Sequence, residues 1–270
     1  MLLPYSGRDG EYIQSISRPG LNALLLDAAS DHPSIDIHFN YGVQYADVKS
    51  ARVIGTIGNT SETFDFTGDV LIGTDGAGSE VRNGFSQIGS TIRFNYSLQW
   101  LDHGYKELEI PAGPNASWLI EKNALHIWPR QSFMVIALPN LDGSFTVTLF
   151  LAFDSTPGFN QLQTDKEILD FFNDQFPDLV ALMPDLVQDF KLHPTGALGT
   201  VKCGPWNTEK SLLMGDAAHA VVPFYGQGMN CSMEDVLKLD LCLDEVSENW
   251  PKAFDLYYAG RKKDADAIAD

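Results

Sequence analysis

The sequence predicts a mixed α/β fold in which an antiparallel sheet is inserted into a parallel, helix-covered framework, and three observations predict it. Two short apolar runs, residues 70–73 and 211–214, run into Asp75-Gly76 and Gly215-Asp216. That is how buried parallel strands end at the edge where open α/β sheets bind ligands. Between them, over 89–153, strand-like stretches follow one another, separated by Gly, Pro and Asn turns. A segment with helical apolar spacing, from about Met229 to Glu245, follows the second run.

Taken in order, residues 11–17 (EYIQSIS) alternate as a strand does, and Pro19-Gly20 then introduce LNALLLDAAS, spaced for a short amphipathic helix. Residues 35–48 and 51–57 are β-rich, and the run at 70–73 follows. STIRFNYSLQWL, YKELEI, ALHIWP, FMVIALP and FTVTLFLAF supply the inserted sheet. TDKEILDFFNDQF and DLVQDF read as helices, the first opened by a capping box of Thr164 and Glu167. LGTVKCGPW leads back to SLLM, and helices from about Met229 to Glu245 and from about Pro251 close the chain. The expected division is 1–88 and 194–270 for the parallel framework and 89–193 for the inserted sheet and its helices. No internal repeat or low-complexity tract is present.

With 270 residues, 44% hydrophobic and 11% aromatic, the chain can bury a sizeable core. Eighteen basic against 36 acidic residues give a net charge of -18, which repels nucleic acid and anionic lipid. Cys203, Cys231 and Cys242 share no metal-ligand spacing and are read as reduced thiols. His32, His38, His103, His126 and His193 are scattered, so no metal site is expected. No apolar stretch approaches the ~20 residues that span a bilayer, and no targeting segment is evident at the N-terminus. G-x-S-x-G and G-x-x-x-x-G-K-[ST] are both absent.

Chemistry concentrates at residues 214–235, MGDAAHAVVPFYGQGMNCSMED. A carboxylate at a strand end can accept hydrogen bonds from sugar hydroxyls, and Gly226 and Gly228 let backbone approach a planar or anionic group at a helix N-terminus. The same residues also suit a plain strand–turn–helix connection with glycines for turn geometry.

As one unit, GDAAHAVVPFYGQGMN resembles the second FAD-binding motif of the flavin-dependent aromatic monooxygenases. GTDGAGSEVR at 73–82 fits that family's D-G-x-x-S-x-V-R signature. SRPGLN, ALHIWPR, FMVIALPN, SFTVTLF and FFNDQFPD are similar, in order, to segments of its kynurenine 3-monooxygenase branch, so the resemblance covers nearly the whole chain. It implies a para-hydroxybenzoate-hydroxylase-like fold: a partial FAD-binding, Rossmann-like domain with an inserted antiparallel substrate sheet. It implies FAD as cofactor, NADPH as electron donor, and hydroxylation of L-kynurenine by O2, a step of tryptophan degradation and NAD biosynthesis. The alternatives are another FAD-dependent aromatic monooxygenase, or a catalytically silent fragment that acts only in binding.

By the same resemblance Asp216, with Gly215, binds the ribitol, and the backbone of Gly228, Met229 and Asn230 faces the flavin's pyrimidine edge. Arg18 and Val43 contact the cofactor, and Asp75 and Gly76 sit near its pyrophosphate and ribose. Tyr5 binds the substrate carboxylate, and Leu125, Ile136, Phe150, Pro223, Phe224 and Tyr225 wall the aromatic ring. Phe and Leu in strands are also ordinary core residues. No side-chain catalyst is expected, because the flavin carries the chemistry; His219, within GDAAH, is read as structural. The family's location is the cytosolic face of the mitochondrial outer membrane, and without its anchor the chain is expected in the cytosol. The family's G-x-G-x-x-G turn and later helices have no counterpart here, and Gly78 replaces a bulkier residue. Weak FAD binding and marginal stability are therefore expected.

Overall fold

The structure, a computed structural model, describes every residue except Met1, Leu2, Pro4, Tyr5, Gly7 and Asp9, and the backbone but not the side chain of Tyr225. The chain forms two compact units, Met1–Ile37 with Asp102–Ala197, and His38–Leu101 with Leu198–Asp270. The antiparallel and parallel elements of the expected α/β mix are both present.

Helix α1 (Arg18–Ser30) starts where Ser17 accepts the Gly20 N–H and proline occupies the first turn. Residues 11–17 carry no strand, a correction to the expectation; alternation alone does not make one, because a strand is stabilised by the neighbours it pairs with. The run at 35–48 becomes strand only as β1 (Tyr41–Asp47), which pairs antiparallel with β2 (Arg52–Ile57). A strand the periodicity did not announce, β3 (Thr63–Thr67), completes a three-stranded sheet. β4 (Leu71–Gly73) follows, then α2 (Glu80–Gln87) and the single turn α3 (Gly89–Ile92). STIRFNYSLQWL therefore begins as helix, turns at Arg93 in the left-handed conformation (φ 56), and merges with YKELEI into one sixteen-residue strand, β5 (Asn95–Ile110).

β6 (His126–Pro129), β7 (Met134–Pro139) and β8 (Phe145–Ala152) form where the sequence places them. Helix α4 (Asp165–Gln175) carries the expected Thr164–Glu167 capping box, and α5 (Pro177–Val180) and α6 (Leu186–Leu192) follow. β9 (Thr195–Gly204), β10 (Ser211–Leu213), the short α7 (Asp216–His219), α8 (Gly228–Glu245) and α9 (Trp250–Ala269) complete the chain.

The five-stranded sheet runs β6-β7-β8-β5-β9, with β6, β7 and β8 wholly in the first unit. β8 alternates Phe145, Val147, Leu149 and Leu151 into a core shared with Phe172, Phe176 and Phe190 of the helical segment, all buried. Each such side chain removed from water contributes about 1.5–3 kcal/mol. In the second unit β10 lies parallel to β4, and Leu212, Leu213, Phe85, Trp206, Phe254 and Tyr257 form the core. α2 rests directly on β1: a Cβ on Gly84 would stand 2.5 Å from the Ala46 carbonyl oxygen, so only glycine permits that approach. Cys203, Cys231 and Cys242 are free thiols, all buried in this unit. Among the described residues no helix is long and apolar enough to cross a membrane.

Candidate functional site

The second unit sets the two acid–glycine turns side by side. β4 and β10 pair Leu71 with Ser211 and Gly73 with Leu213, and the Met214 N–H donates to the Gly73 carbonyl at 2.9 Å. Both chains thus leave the carboxyl ends of neighbouring parallel strands together, the place where such sheets bind ligands.

At the second turn Gly215 has φ 55 and ψ -142, a conformation essentially reserved for glycine. Its N–H donates to Asp235 Oδ2 at 2.9 Å. Asp216 is the single exposed residue of the ten from 211 to 220, so burial on both sides presents one carboxylate to solvent.

The group that holds this turn is a buried charge network on α8 and α9. Asp235 is fully buried; besides Gly215 it meets His219 Nε2 at 2.6 Å and accepts from Arg261 Nε at 2.8 Å. Arg261 also reaches Glu234 at 2.7 Å and the Cys231 carbonyl at 3.3 Å. Burial works to raise the Asp235 pKa, but the hydrogen bonds and charges of His219, Arg261 and Gly215 outweigh it and hold the carboxyl below its ordinary range. His219, 3% exposed, packs tilted against the Trp206 ring, with centroids 5.1 Å apart. His219, Cys231 and Asp235 lie close enough together to ligate a cation. Arg261 already occupies the carboxylate there and lies 3.3 Å from the Cys231 sulfur, so an ion would face a fixed positive charge.

The first turn is held locally. Asp75 accepts the Ser79 hydroxyl and the N–H groups of Glu80 (2.8 Å) and Val81 (3.1 Å), and Ser79 in turn caps α2 through the Arg82 N–H. Arg82, 2% exposed, donates to the Ala77 carbonyl and, at 2.9 Å, to that of Ala217. It therefore clamps one turn to the other, while its guanidinium stacks 5.0 Å from the Tyr96 ring. Gly76, at φ 82, has open space where a side chain would be.

Gly226, in the left-handed conformation (φ 63), redirects the chain into α8, whose start at Gly228 has no side-chain cap. Met229 and Asn230 are exposed and Gly228 half-buried, and the N–H groups of a helix's first turn have no intrahelical acceptor. A Cβ on Gly215 would lie 3.1 Å from the Ser232 hydroxyl, which places the acid–glycine turn against the same helix start.

The remaining candidates divide between the units. Val43 is a half-buried residue of β1 opposite Gly55, and Pro223 and Phe224 are exposed in the short turn that also contains Tyr225. In the first unit Arg18 is exposed and 3.6 Å from Glu107. There too Leu125 is exposed, Ile136 is half-buried opposite Thr148, and Phe150 is buried opposite Tyr105. Tyr5 lies outside the described residues. Three residues central to the geometry had no role from the sequence: Arg82, Asp235 and Arg261. Arg82 closes a signature already noted, and that was its signal; Asp235 and Arg261 lie among surface-like charges with no local mark.

The donor set fits a flavin nucleotide. An exposed carboxylate, a glycine-only turn and an uncapped eighteen-residue helix come together there. The model of the family described as "FAD binding domain" matches residues 6–270. The kynurenine 3-monooxygenase of Myxococcus xanthus (strain DK1622) is 44% identical over 268 residues, 99% of this chain and 57% of that protein. That of Dictyostelium discoideum is 43% identical over 279 residues, 98% of this chain and 59% of the relative. The chain thus spans 57–59% of the length of these curated relatives. Among solved structures, the tetrameric form of 2-methyl-3-hydroxypyridine-5-carboxylic acid oxygenase superposes with TM-score 0.72 at 22% identity, over 92% of this chain and 62% of that one. Tetracycline destructase Tet(51) superposes with TM-score 0.63 at 20% identity, over 93% and 64%. These likenesses share the fold expected from the sequence. The chain belongs to the FAD-binding-domain family.

Proposed function

We propose that the chain forms the flavin-binding and substrate portion of an FAD-dependent monooxygenase that uses NADPH and O2 to hydroxylate L-kynurenine to 3-hydroxykynurenine. The observation that carries the reading is Asp216, the lone exposed residue in a buried run, delivered by a glycine-only turn to the start of an open helix. Its carboxylate would accept hydrogen bonds from the ribitol hydroxyls, and the first N–H groups of α8 at Gly228, Met229 and Asn230 would face the ring edge that becomes negative on reduction. When bound, FAD supplies the oxygen activation and transfer. The residues of the chain supply position: Asp235 and Arg261 hold the Gly215 turn, Arg82 ties it to the Asp75-Gly76 turn, and Arg18 and Val43 complete the cofactor contacts.

Tyr5 would donate to the substrate carboxylate, with Leu125, Ile136, Phe150, Pro223, Phe224 and Tyr225 walling its ring against water. The expected site of action is the cytosolic face of the mitochondrial outer membrane. The 40-odd per cent identity to kynurenine 3-monooxygenases supports this substrate over other aromatic acids. The test is an FAD titration followed by flavin fluorescence. Replacing Asp216→Asn, which removes a charge-assisted hydrogen bond, raises the Kd about tenfold or more. Equal affinity of the two proteins removes Asp216 from the site. For the substrate, NADPH consumption is compared across aromatic acids: stimulation by kynurenine above the others is the expected result, and a stronger response to another acid replaces kynurenine with it.

A further inference from the structure

The chain carries a net charge of -18, yet one cavity of the second unit is basic. It has a volume of about 480 Å³, within the range of small-molecule sites. Arg93, Lys202 and Lys262 line it, Tyr96 and Tyr258 add two aromatic rings, and no acidic side chain belongs to its lining. Lys202 pairs with Asp270 and Lys262 with Asp266, both outside the lining. Arg93 has no ion-pair partner among the described residues, and its left-handed backbone at the turn into β5 sets it beside the cavity. Beneath, the buried Arg82 stacks on Tyr96, and its Nε has no hydrogen-bond partner among the described residues. Among the described residues Arg93 and the buried Arg82 are thus the cations here without a carboxylate partner, and such uncompensated charge on a strongly acidic protein draws anions to it. Rings beside it select among anions for those with a planar base.

We propose that this cavity is a nucleotide site that takes an adenine nucleotide with a terminal phosphate monoester, the chemistry of the adenosine 2′-phosphate end of NADPH. Arg93 meets the phosphate, where a guanidinium can bind two oxygens at once, Lys262 joins it by exchanging Asp266 for the phosphate, and the tyrosines flank the base. The assignment to NADPH rests on the function proposed above.

The experiment is calorimetric titration of the folded chain with 2′,5′-ADP, with adenosine and with inorganic phosphate. The expected result is that 2′,5′-ADP binds about tenfold or more tightly than either fragment. Its affinity falls about tenfold or more in Arg93→Gln, and again between about 0.05 M and about 0.5 M salt. Lys262→Gln provides a second variant, and circular dichroism establishes that each is folded. FAD affinity, read separately by flavin fluorescence, is unchanged in Arg93→Gln. The proposal is overturned if 2′,5′-ADP does not bind, if phosphate alone binds as tightly, or if neither variant weakens binding. If 2′,5′-ADP binds as expected and FAD does not bind at all, the nucleotide site stands and the flavin reading falls.

Discussion

The two acid–glycine turns leave adjacent strands and are tied to each other by Arg82, but they are held by opposite means. Asp75 is held by its own neighbourhood: a hydroxyl and two N–H groups, all within six residues. The Gly215 turn is held from a distance, by Asp235 twenty residues on and by Arg261 from another helix. Local capping survives wherever its short segment folds. A remote charge network exists only when α8 and α9 are both packed, so the turn that presents Asp216 inherits the stability of the whole second unit. Functional geometry and global folding are therefore coupled at one turn and nearly separate at the other.

The largest test removes the remote anchor. Arg261→Ala leaves a fully buried carboxylate without its guanidinium, and breaking such a pair costs about 3–5 kcal/mol. Thermal unfolding should record a destabilisation of that order, and a loss below about 1 kcal/mol would break the contrast. The same pair gives acid sensitivity with a definite sign. The folded Asp235 carboxyl titrates below its ordinary value of 3.8, so its contribution is fully present above that value and lost as pH falls through the lowered one. Asp235→Asn flattens this part of the stability–pH curve, and an unchanged acid limb would remove Asp235 as its source. Gly215→Ala forces a side chain into a glycine-only conformation, at about 1–3 kcal/mol by denaturant unfolding. Ser79→Ala takes away one cap and costs about 1 kcal/mol. Hydrogen exchange should then show the change confined to α2; loosening of α8 would mean that the first turn is not locally held.

Most of the architecture was legible because apolar periodicity and capping are local signals. The strands β6, β7 and β8, the Thr164–Glu167 box and α8 follow from them directly. Residues 11–17 failed because a strand's existence depends on what lies beside it, and residues 89–92 failed because a four-residue helical turn is too short to show a period. The two turns of the site were legible as motifs. What supports them was legible only in part: Arg82 closes a recognisable signature, whereas Asp235 and Arg261 look like surface charges until folding buries them. A residue's solvent exposure, unlike its spacing, is a property of the whole chain.

The three cysteines have a further use. Cys203, Cys231 and Cys242 are 1–3% exposed, and burial pushes the Cys203 thiol up to about 12. All three lie in the second unit and none in the first. Alkylation reacts with the thiolate and needs access to it, so the folded unit protects all three. Timed labelling read by mass spectrometry would therefore act as an intrinsic clock for the opening of this unit alone, with no probe to engineer.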